Sequence, residues 1–309
     1  MKQKVRHYIE YLILRLMVAP GNALPLKWAY RVGDVVGDII YKKSHKRRAI
    51  AERNIRLAFP EKTEAEVARL ARDCFRNGCT LGTELSRLHK IAPHIEKYID
   101  MEGEDVVWRA LEKKRGVVLL VSHLGNWEIM ANRAAAAGFP IHALARPLKN
   151  KFIYDRVKRV RGYRGLKSID KSGAVRSTLK LLKQNQVVAM LVDQRESQAG
   201  IEVDFFNRKA LTGTFAAFLA IKYKPELIFV HFTRSPVDRS KWHMCFTPYD
   251  PGPLSGDDAQ DIRRITQTIM STFETWIRQN PEGWYWMHER WRLDGAPKSR
   301  DLANFARAK

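Results

Sequence analysis

The stretch VVLLVSHLGNWEIM, Val117–Met130, decides the fold of this chain, because it runs from a buried strand through a tight turn into a helix. Five consecutive Val and Leu residues, Val117–Val121, predict a strand buried on both faces of a sheet. Gly125 can adopt backbone angles that are closed to other residues, and Asn126 is a good N-cap for a helix that begins at Trp127. The pattern predicts one strand-turn-helix unit of an α/β sheet.

This unit places His123 at the carboxyl end of the strand and Glu128 in the first turn of the helix, where ligands bind in open α/β sheets. An imidazole can accept the proton of a substrate hydroxyl as the oxygen attacks a carbonyl. A nearby carboxylate would hold the imidazole in the useful tautomer, so the two residues predict a general base and its orienting acid. Asn126 is a further candidate for substrate contact, and backbone N–H groups at the helix N-terminus would favour an oxyanion or a phosphate. The alternative is an ordinary structural pair, because this spacing also occurs by chance.

Hydrophobic patterning after residue 106 alternates strands with helices, which predicts an α/β fold with a largely parallel central sheet flanked by helices. The first ~90 residues are predicted to be mainly helical, with Thr63–Leu85 the clearest long helix. Further strands are predicted at His142–Ala145, Val187–Val192 and Leu227–Phe232, and helices at Trp127–Ala137, Lys151–Val160, Ala174–Lys183, Phe215–Tyr223 and Asp258–Gln279.

The chain of 309 residues is long enough for one large core, and no segment has the composition of an interdomain linker. We therefore expect a single domain over residues 1–309. Within it, residues 1–41 would be membrane-associated helices, residues 42–105 a helical region, and residues 106–309 the α/β core.

Near the amino terminus, the apolar segment Tyr8–Ala19 is interrupted only by Glu10 and Arg15, and we expect it to end at Pro20 and Gly21. A bilayer span takes about 20 apolar residues, so this segment is too short and too charged to predict one. It also lacks the small-residue cleavage site of a signal peptide. The composition favours an interfacial or shallowly inserted helix.

A second apolar helix is predicted over Leu24–Tyr41, where Gly33 and Gly37 stand four residues apart and permit close packing against another helix. It leads into the basic run KKSHKRR, Lys42–Arg48. Such a run beside an apolar segment is a candidate for contact with anionic lipid headgroups, or else a solvated face.

Charge predicts an anionic partner, because 55 Lys and Arg against 33 Asp and Glu give a formal net charge of +22. An anionic membrane lipid and an acidic carrier protein both fit, unless the charge merely keeps the chain soluble. Nucleic acid is not expected, since the sequence has no zinc-knuckle, RNP-like or bZIP pattern. The three cysteines show no C-x-x-C spacing, which indicates a reducing, cytosol-facing setting. Without a glycine-rich phosphate loop either, we predict neither a metal nor a nucleotide cofactor.

Other polar residues are expected at the same edge of the sheet as His123. Arg146 follows a predicted strand and would bind a phosphate or carboxylate at two points, or form a surface ion pair. Asp193 also follows a strand, and we expect it to pair with an arginine or to cap a turn. Thr212 and Gly213 precede a helix, so their backbone N–H groups would either cradle a phosphate or an oxyanion or simply cap that helix.

Together these segments resemble the late acyltransferases of lipid A biosynthesis, the lauroyl and myristoyl transferases, within the lysophospholipid acyltransferase superfamily. The resemblance spans nearly the whole chain, and its segments occur in the order of that family. They are AERNIRLAFPEKTEAEV (Ala51–Val67), the His-x4-Glu block, Arg146-Pro147, RVRGYRGLKSI (Arg159–Ile169), VVAMLVDQ ending at Asp193 and Gln194, ALTGTFAAFLA, and PEGWYWMHERWR.

The resemblance implies transfer of a fatty acyl chain from acyl carrier protein, or sometimes coenzyme A, to a hydroxyl of a membrane glycolipid at the cytoplasmic face of a bacterial inner membrane. It makes His123 the base and Glu128 its partner. It also implies a contribution from an arginine of Arg159–Arg164, with Arg161 or Arg164 the nearest matches. The acceptor would be a lipid A precursor, or another lipid such as a lysophospholipid, an ornithine lipid or a mannosylated inositol lipid. A non-enzymatic basic membrane or nucleic-acid binder is the other interpretation.

The aromatic carboxyl-terminal segment WYWMHERW has three possible roles. Trp284, Trp286 and Trp291 would line an acyl tunnel, lie at the headgroup level, or pack in the core. His288 is expected to be a packed, hydrogen-bonded histidine rather than a second base.

Overall fold

The computed structural model describes residues 2–145, 148–170, 173–196 and 200–291. Three short 3-10 turns supplement the helices, at Ala92–Lys97, Gly162–Arg164 and Pro281–Gly283. The α-helices are α1 Lys2–Ala23, α2 Leu26–Lys43, α3 His45–Ala58, α4 Glu64–Ser86, α5 Leu88–Ile91, α6 Glu104–Glu112, α7 Trp127–Ala136, α8 Lys151–Arg161, α9 Ala174–Lys183, α10 Phe215–Lys222 and α11 Asp258–Gln279.

The strands form a seven-stranded sheet in the order β1-β9-β8-β2-β5-β3-β4 and a separate hairpin of β6 and β7. Within the large sheet only β8 and β9 pair antiparallel; the other described pairs are parallel. The prediction of a largely parallel sheet flanked by helices, with a helical amino-terminal region, is confirmed. The strands are β1 Ile99–Glu102, β2 Val117–Val121, β3 Ile141–Ala145, β4 Lys167–Asp170, β5 Val187–Leu191, β6 Gly200–Phe205, β7 Arg208–Gly213, β8 Glu226–Arg234 and β9 Trp242–Tyr249.

Strand β2 is the centre of the fold, because all five of its residues are buried. Successive side chains of a strand point to opposite faces of its sheet. Val118 and Leu120 accordingly join the core cluster that contains residues of α4, α10 and α11. Leu119 joins the cluster on the other face, which contains residues of α6 and α7. Helices thus cover both faces of β2, as its continuous apolar sequence predicts.

Several helices begin where side chains cap free backbone N–H groups. The Thr63 hydroxyl accepts the N–H of Glu66, and the Glu66 carboxylate accepts the N–H of Thr63, so α4 begins with a capping box. The side chains of Asn126, Asn150 and Asp257 each accept two N–H groups at the starts of α7, α8 and α11. These local signals explain why the predicted helix starts agree closely with the structure.

The sequence did not reveal β1, β4, β9 or the β6–β7 hairpin. Strands β1 and β4 are short and lie at the two edges of the large sheet, and β6 and β7 form a separate hairpin. Strand β9 lies inside the sheet, but its side chains alternate between buried and partly exposed. None of these strands has the continuous buried apolar run that marks β2. The last three residues of the segment RVRGYRGLKSI belong to β4, which begins at Lys167. Their pairing with β3 is a tertiary contact that helix periodicity does not report.

Helix α1 differs from its predicted length, because it continues to Ala23 and does not end at Pro20. It packs against α2, α4 and α8, and the Asn150 side chain donates to the carbonyl of His7 and the carboxylate of Glu10. Tertiary contacts therefore extend the helix past the local stop signal. No helix among the described residues contains an apolar stretch long enough to cross a membrane.

Helices α2 and α4 pack with their backbones in close contact, as the glycine spacing predicts. A Cβ atom on Gly37 would lie 2.6 Å from the Cα of Arg76, and one on Gly33 would lie 3.3 Å from the Thr83 hydroxyl. Asp38 strengthens the contact, because its carboxylate accepts hydrogen bonds from both Arg72 and Arg76 on α4. Glycine at position 37 is therefore required by space.

Gly37→Ala should lower the free energy of unfolding by about 1–3 kcal/mol, because the added methyl group meets backbone atoms of α4 that cannot rotate away. Gly82→Ala is the matched control, since nothing lies within 4 Å of its added Cβ atom. The control should stabilise α4 by about 0.5–1 kcal/mol. Denaturant unfolding measures both variants, and equal stability of the two would contradict the packing argument.

Candidate active site

The register of β2 and β5 brings two polar residues face to face at the carboxyl edge of the sheet. Val121 pairs with Leu191 at the last rung of the two strands. His123 and Asp193 each follow two residues later, and the N–H of Val192 still donates to the carbonyl of Val121. The side chains of His123 and Asp193 meet as a result of this parallel pairing.

Asp193 is fully buried and accepts three hydrogen bonds. Its Oδ1 lies 2.6 Å from Nδ1 of His123, and its Oδ2 accepts the backbone N–H of His123 and the Nε1–H of Trp284, each at 2.7 Å. Burial alone would raise the pKa of Asp193, but attraction to the His123 ring and these hydrogen bonds lower it below its usual value. The carboxylate therefore stays ionised and directs the Nδ1–H tautomer of His123.

The second nitrogen of the His123 ring, Nε2, does not bond Asp193. Because Nδ1 donates to Asp193, the lone pair of the neutral ring lies on Nε2, and no described residue hydrogen-bonds that atom. The edge of the ring packs against Trp127, with ring centroids 4.8 Å apart. The geometry is that of a general base held by an acid from a neighbouring strand.

The acid that orients His123 is thus Asp193, and the prediction that Glu128 does so is wrong. Glu128 instead forms a two-point ion pair with Arg161 of α8, in which Nε of Arg161 lies 2.7 Å from Oε2. A strand end and the helix that follows it point their side chains in different directions, so five residues of separation do not bring the two side chains together. Asp193, expected to pair with an arginine or cap a turn, pairs with a histidine.

The Glu128–Arg161 pair is part of the same edge of the sheet. Both side chains are largely but not fully buried, and they join the first turn of α7 to the last turn of α8. Burial tends to lower the pKa of Arg161, but the hydrogen bonds and charge of Glu128 outweigh this effect. The pKa is therefore raised above its usual value, and the guanidinium stays charged. Of the two arginines predicted for the site, the structure joins Arg161 to Glu128, whereas Arg164 lies exposed in the following 3-10 turn.

Asn126 does not face a substrate, because its side chain is buried and its hydrogen bonds are used within the protein. Its Oδ1 accepts the N–H groups of Glu128 and Ile129, and its Nδ2 donates to Glu84. Two of the backbone N–H groups at the start of α7, where the sequence predicts a site for an oxyanion or a phosphate, are therefore already occupied. The N-cap prediction is correct, and the substrate-contact prediction for Asn126 is wrong.

Gly125 lets the turn pass close to the aromatic residues Phe232 and Trp242. Its φ of +70° and the position of the Phe232 carbonyl, 2.8 Å from an added Cβ, exclude other residues. The N–H of Gly125 donates to the carbonyl of Gly283, and Leu124 forms a β-bridge with Trp284. The carboxyl-terminal segment thus holds the turn that carries His123.

The terminal aromatic residues lie in the core, and the tunnel and headgroup roles are not needed to explain them. Trp284 and Trp286 are almost fully buried and their rings meet edge to face, 4.7 Å apart between centroids. Trp291 stacks on Phe205 of the hairpin. Trp284 also reaches the site through its indole hydrogen bond to Asp193.

Thr212 and Gly213 belong to strand β7, where they pair with β6, and not to a loop before α10. The Thr212 hydroxyl is buried and accepts a hydrogen bond from the guanidinium of Arg290. Arg290 is itself fully buried, and its charge interacts with that of Asp193. Neither Thr212 nor Gly213 is free to bind a phosphate, because the hairpin occupies them.

His288 is a packed histidine, as expected. Its Nε2 accepts the backbone N–H of Arg195 at 3.0 Å, so its proton resides on Nδ1. Burial and, next, the charge of Arg290 lower the pKa of His288 to about 4. It cannot act as a second base toward a substrate while this hydrogen bond holds.

Arg146 lies outside the described residues, so its predicted contact with a phosphate or carboxylate stays a prediction. Arg290 and Trp284, which touch or influence Asp193, were not predicted as site residues. Sequence reasoning has one signal for such residues: if Asp193 is buried, its carboxylate needs hydrogen-bond donors from other parts of the chain.

A family model described as bacterial lipid A biosynthesis acyltransferase matches residues 1–293 of the chain. The chain belongs to this family. The match covers the strand-end His123, the Glu128–Arg161 pair and the terminal aromatic segment, so the resemblance drawn from the sequence is confirmed.

Proteins similar to this chain are named for different acceptors. The chain is 26% identical over 206 residues to a phosphatidylinositol mannoside acyltransferase of Mycolicibacterium smegmatis, covering 65% of each chain. It is 23% identical to a lipid A biosynthesis lauroyltransferase of Escherichia coli strain K12 over 279 residues, covering 89% of each chain. A palmitoleoyltransferase of the same organism is 23% identical over 263 residues, with 84% of each chain covered. The match thus spans slightly less than two thirds of the mycobacterial relative's length.

His288→Gln should reduce the pH dependence of stability of this family member between about pH 6.5 and 4. The folded-state pKa is about 4, and the unfolded value is about 6.5. The unfolded chain therefore binds the extra proton in this window, so the wild type loses stability as pH falls from 6.5 toward 4. Glutamine can still accept the N–H of Arg195 but gains no proton.

The measurement is the denaturant midpoint at about pH 7.5, 6 and 4.5. His89→Gln, at an exposed position on α5, is the control and should keep the wild-type slope. A slope in His288→Gln as steep as that of the wild type would show that His288 titrates freely in the folded protein.

Proposed function

We propose that this protein is an O-acyltransferase that moves a fatty acyl chain from an acyl thioester to a hydroxyl of a membrane glycolipid. The observation that carries the proposal is the His123–Asp193 pair, in which a buried carboxylate fixes Nδ1 and Nε2 has no hydrogen bond to any residue that the structure describes. An acyl transfer to a hydroxyl needs a base of this kind, because the hydroxyl itself is a poor nucleophile at neutral pH.

In the proposed mechanism, Nε2 of His123 removes the proton of the acceptor hydroxyl as its oxygen attacks the thioester carbonyl. Asp193 stabilises the imidazolium that forms. The tetrahedral intermediate collapses with loss of the thiolate, which takes the proton from His123, and the products are an ester and a thiol. No covalent acyl-enzyme is required, since the acceptor supplies the nucleophile.

Glu128 acts in this scheme through Arg161. The Glu128 carboxylate holds the guanidinium at the start of α7 by two hydrogen bonds. A positive charge fixed there would stabilise a developing oxyanion, or bind a phosphate of donor or acceptor, without reorganising during the reaction. The proposal assigns Glu128 to positioning and His123 to catalysis.

Membrane association is supported by an apolar surface on the first two helices. Leu16 of α1 is 73% exposed and Val35 of α2 is 59% exposed. Contiguous exposed apolar side chains are unusual on a soluble protein and suit the interface between lipid and water. The exposed basic residues of the run Lys42–Arg48 follow directly, where they would meet anionic headgroups. The other exposed large apolar side chains of the two helices are Val5, Tyr8, Ile9, Leu12, Ile13, Trp28, Val32, Ile39 and Ile40.

The proposed location is the cytoplasmic face of the inner membrane, with acyl carrier protein or coenzyme A as the carrier of the acyl chain. A lipid A precursor is the first candidate acceptor, because relatives named for lipid A biosynthesis match the larger share of the chain. A mannosylated inositol lipid is the second, because the mycobacterial relatives are named for it.

The test is a transfer assay in mixed micelles. The donor is acyl carrier protein or coenzyme A that carries a labelled acyl chain, and the acceptor is a lipid A precursor, a phosphatidylinositol mannoside or a lysophospholipid. Product with one acceptor identifies the substrate class. A basic binding protein without catalytic activity would give no acylated lipid with any pair, which would refute the proposal.

In the productive pair, His123→Ala should abolish transfer, and Asp193→Asn should lower kcat by about a thousandfold or more. The amide of asparagine would donate to Nδ1, which forces the proton onto Nε2 and removes the lone pair needed to accept a proton. Asp261→Asn is the control, because Asp261 is equally buried but bonds Ser255 and Arg264 away from His123. It should retain kcat, and full activity in folded Asp193→Asn protein would contradict the role of Asp193.

Leu16→Asp combined with Val35→Asp should weaken binding to anionic vesicles by about tenfold or more, because burial of one large apolar side chain contributes about 1.5–3 kcal/mol. Vesicle cosedimentation measures the effect. Leu254→Asp is the control, since Leu254 is 38% exposed and lies between β9 and α11, outside the first two helices. Equal binding by the control and the double variant would place the membrane contact elsewhere.

A further inference from the structure

Glu84 of α4 is a buried carboxylate outside the proposed chemistry that joins four other elements. It is only 1% exposed. Its Oε1 accepts the Tyr30 hydroxyl of α2 at 2.7 Å and Nη1 of Arg234, at the end of β8, at 2.8 Å. The indole N–H of Trp242 in β9 also reaches Oε1, at 3.3 Å, and Oε2 accepts the amide of Asn126 at 2.7 Å.

These contacts hold the Glu84 side chain in one orientation. A buried carboxylate is tolerated when it is paired and hydrogen-bonded. The Arg234 guanidinium supplies the opposite charge and stacks over the Trp242 ring at 3.9 Å. Burial and then the Glu84 charge raise the pKa of Tyr30, so its hydroxyl remains a donor.

The contact with Asn126 reaches the catalytic turn. The two ends of the Asn126 amide have different partners. Its Nδ2 donates to Glu84, while its Oδ1 accepts the N–H groups of Glu128 and Ile129. The carboxylate therefore fixes which end of the amide faces α7. Without it the amide can rotate and present its NH2 group to the helix N–H groups, which would undo the cap that starts α7.

The hydrogen bond with Tyr30 links Glu84 to α2. Helix α2 carries Tyr30 on its buried face and Val35 on its exposed apolar face, and it rests closely on α4 through Gly37. A short path of hydrogen bonds thus runs from α2 through Glu84 and Asn126 to the turn that holds His123 and Glu128.

We propose that Glu84 is a positioning residue that sets the start of α7 and thereby couples the position of α2 to the catalytic turn. Glu84 does not touch the reacting groups. Its kinetic consequence rests on the proposed acyl transfer, whereas its effect on the turn is a property of the fold alone. The proposal therefore has one test that needs activity and one that does not.

In the productive transfer assay, Glu84→Gln should lower kcat by about tenfold or more and change the KM of each substrate by less than about twofold. The amide has the shape of the carboxylate but cannot accept all four donors. Tyr30→Phe is the milder variant and removes one hydroxyl, with an expected loss of about threefold in kcat. Tyr41→Phe is the matched control, because Tyr41 lies on the same helix and donates to Glu52 instead.

A double-mutant cycle separates transmission through Glu84 from general destabilisation. Tyr30 and Asn126 both bond Glu84, on its Oε1 and Oε2 respectively. The effects of Tyr30→Phe and Asn126→Asp on kcat should therefore be non-additive. Strict additivity, or an equal loss of kcat in Tyr41→Phe, would overturn the proposal.

Hydrogen exchange gives the readout that is independent of activity. Peptides covering residues 123–131 should exchange faster in Glu84→Gln and Tyr30→Phe than in wild type, and at the wild-type rate in Tyr41→Phe. Unchanged exchange in folded Glu84→Gln protein would overturn the positioning role. If the two variants exchange faster but the wild-type protein transfers no acyl group, the positioning role stands and only the proposed function is refuted.

Discussion

The hydrogen bond between Asp193 and His123 is the contact on which the site depends. Placing a carboxylate in a fully buried position costs several kcal/mol unless donors surround it. Here the donors are the ring and the backbone N–H of His123 and the indole of Trp284. The same bonds that make the burial tolerable also fix the tautomer of the imidazole, so stability and chemistry have one physical origin.

Three distant parts of the chain must come together for this contact. Strand β2 supplies His123, strand β5 supplies Asp193, and the carboxyl-terminal segment supplies Trp284. The parallel register of β2 and β5 brings His123 and Asp193 together. The β-bridge between Leu124 and Trp284 brings the terminal segment to the same turn. Arg290 adds a buried positive charge within range of Asp193. Together with burial, which has the larger effect, its charge lowers the pKa of the neighbouring His288.

A second buried carboxylate holds the other end of the same turn. Asp193 binds the turn where it begins, at His123, and Glu84 binds it where it ends, at Asn126. Between them Gly125 passes under Phe232 in a conformation that other residues rarely adopt. Each carboxylate is paired with a cationic or ionisable partner, which is the arrangement that makes buried charge compatible with a stable core. The turn is thus held by Asp193 after β5, by Glu84 of α4 and by the terminal segment around Trp284.

The sequence by itself determined the strand-turn-helix unit from Val117 to the end of α7, because its signals are local: an apolar run, a glycine and a capping asparagine. It also placed His123 at the ligand-binding edge and gave the bounds of α11 correctly. Only the tertiary structure decided that Asp193, not Glu128, orients the imidazole. Spacing along the chain fixes where two residues lie in a strand or a helix, whereas the direction of their side chains depends on which strands become neighbours, and that is set by packing across the whole sheet.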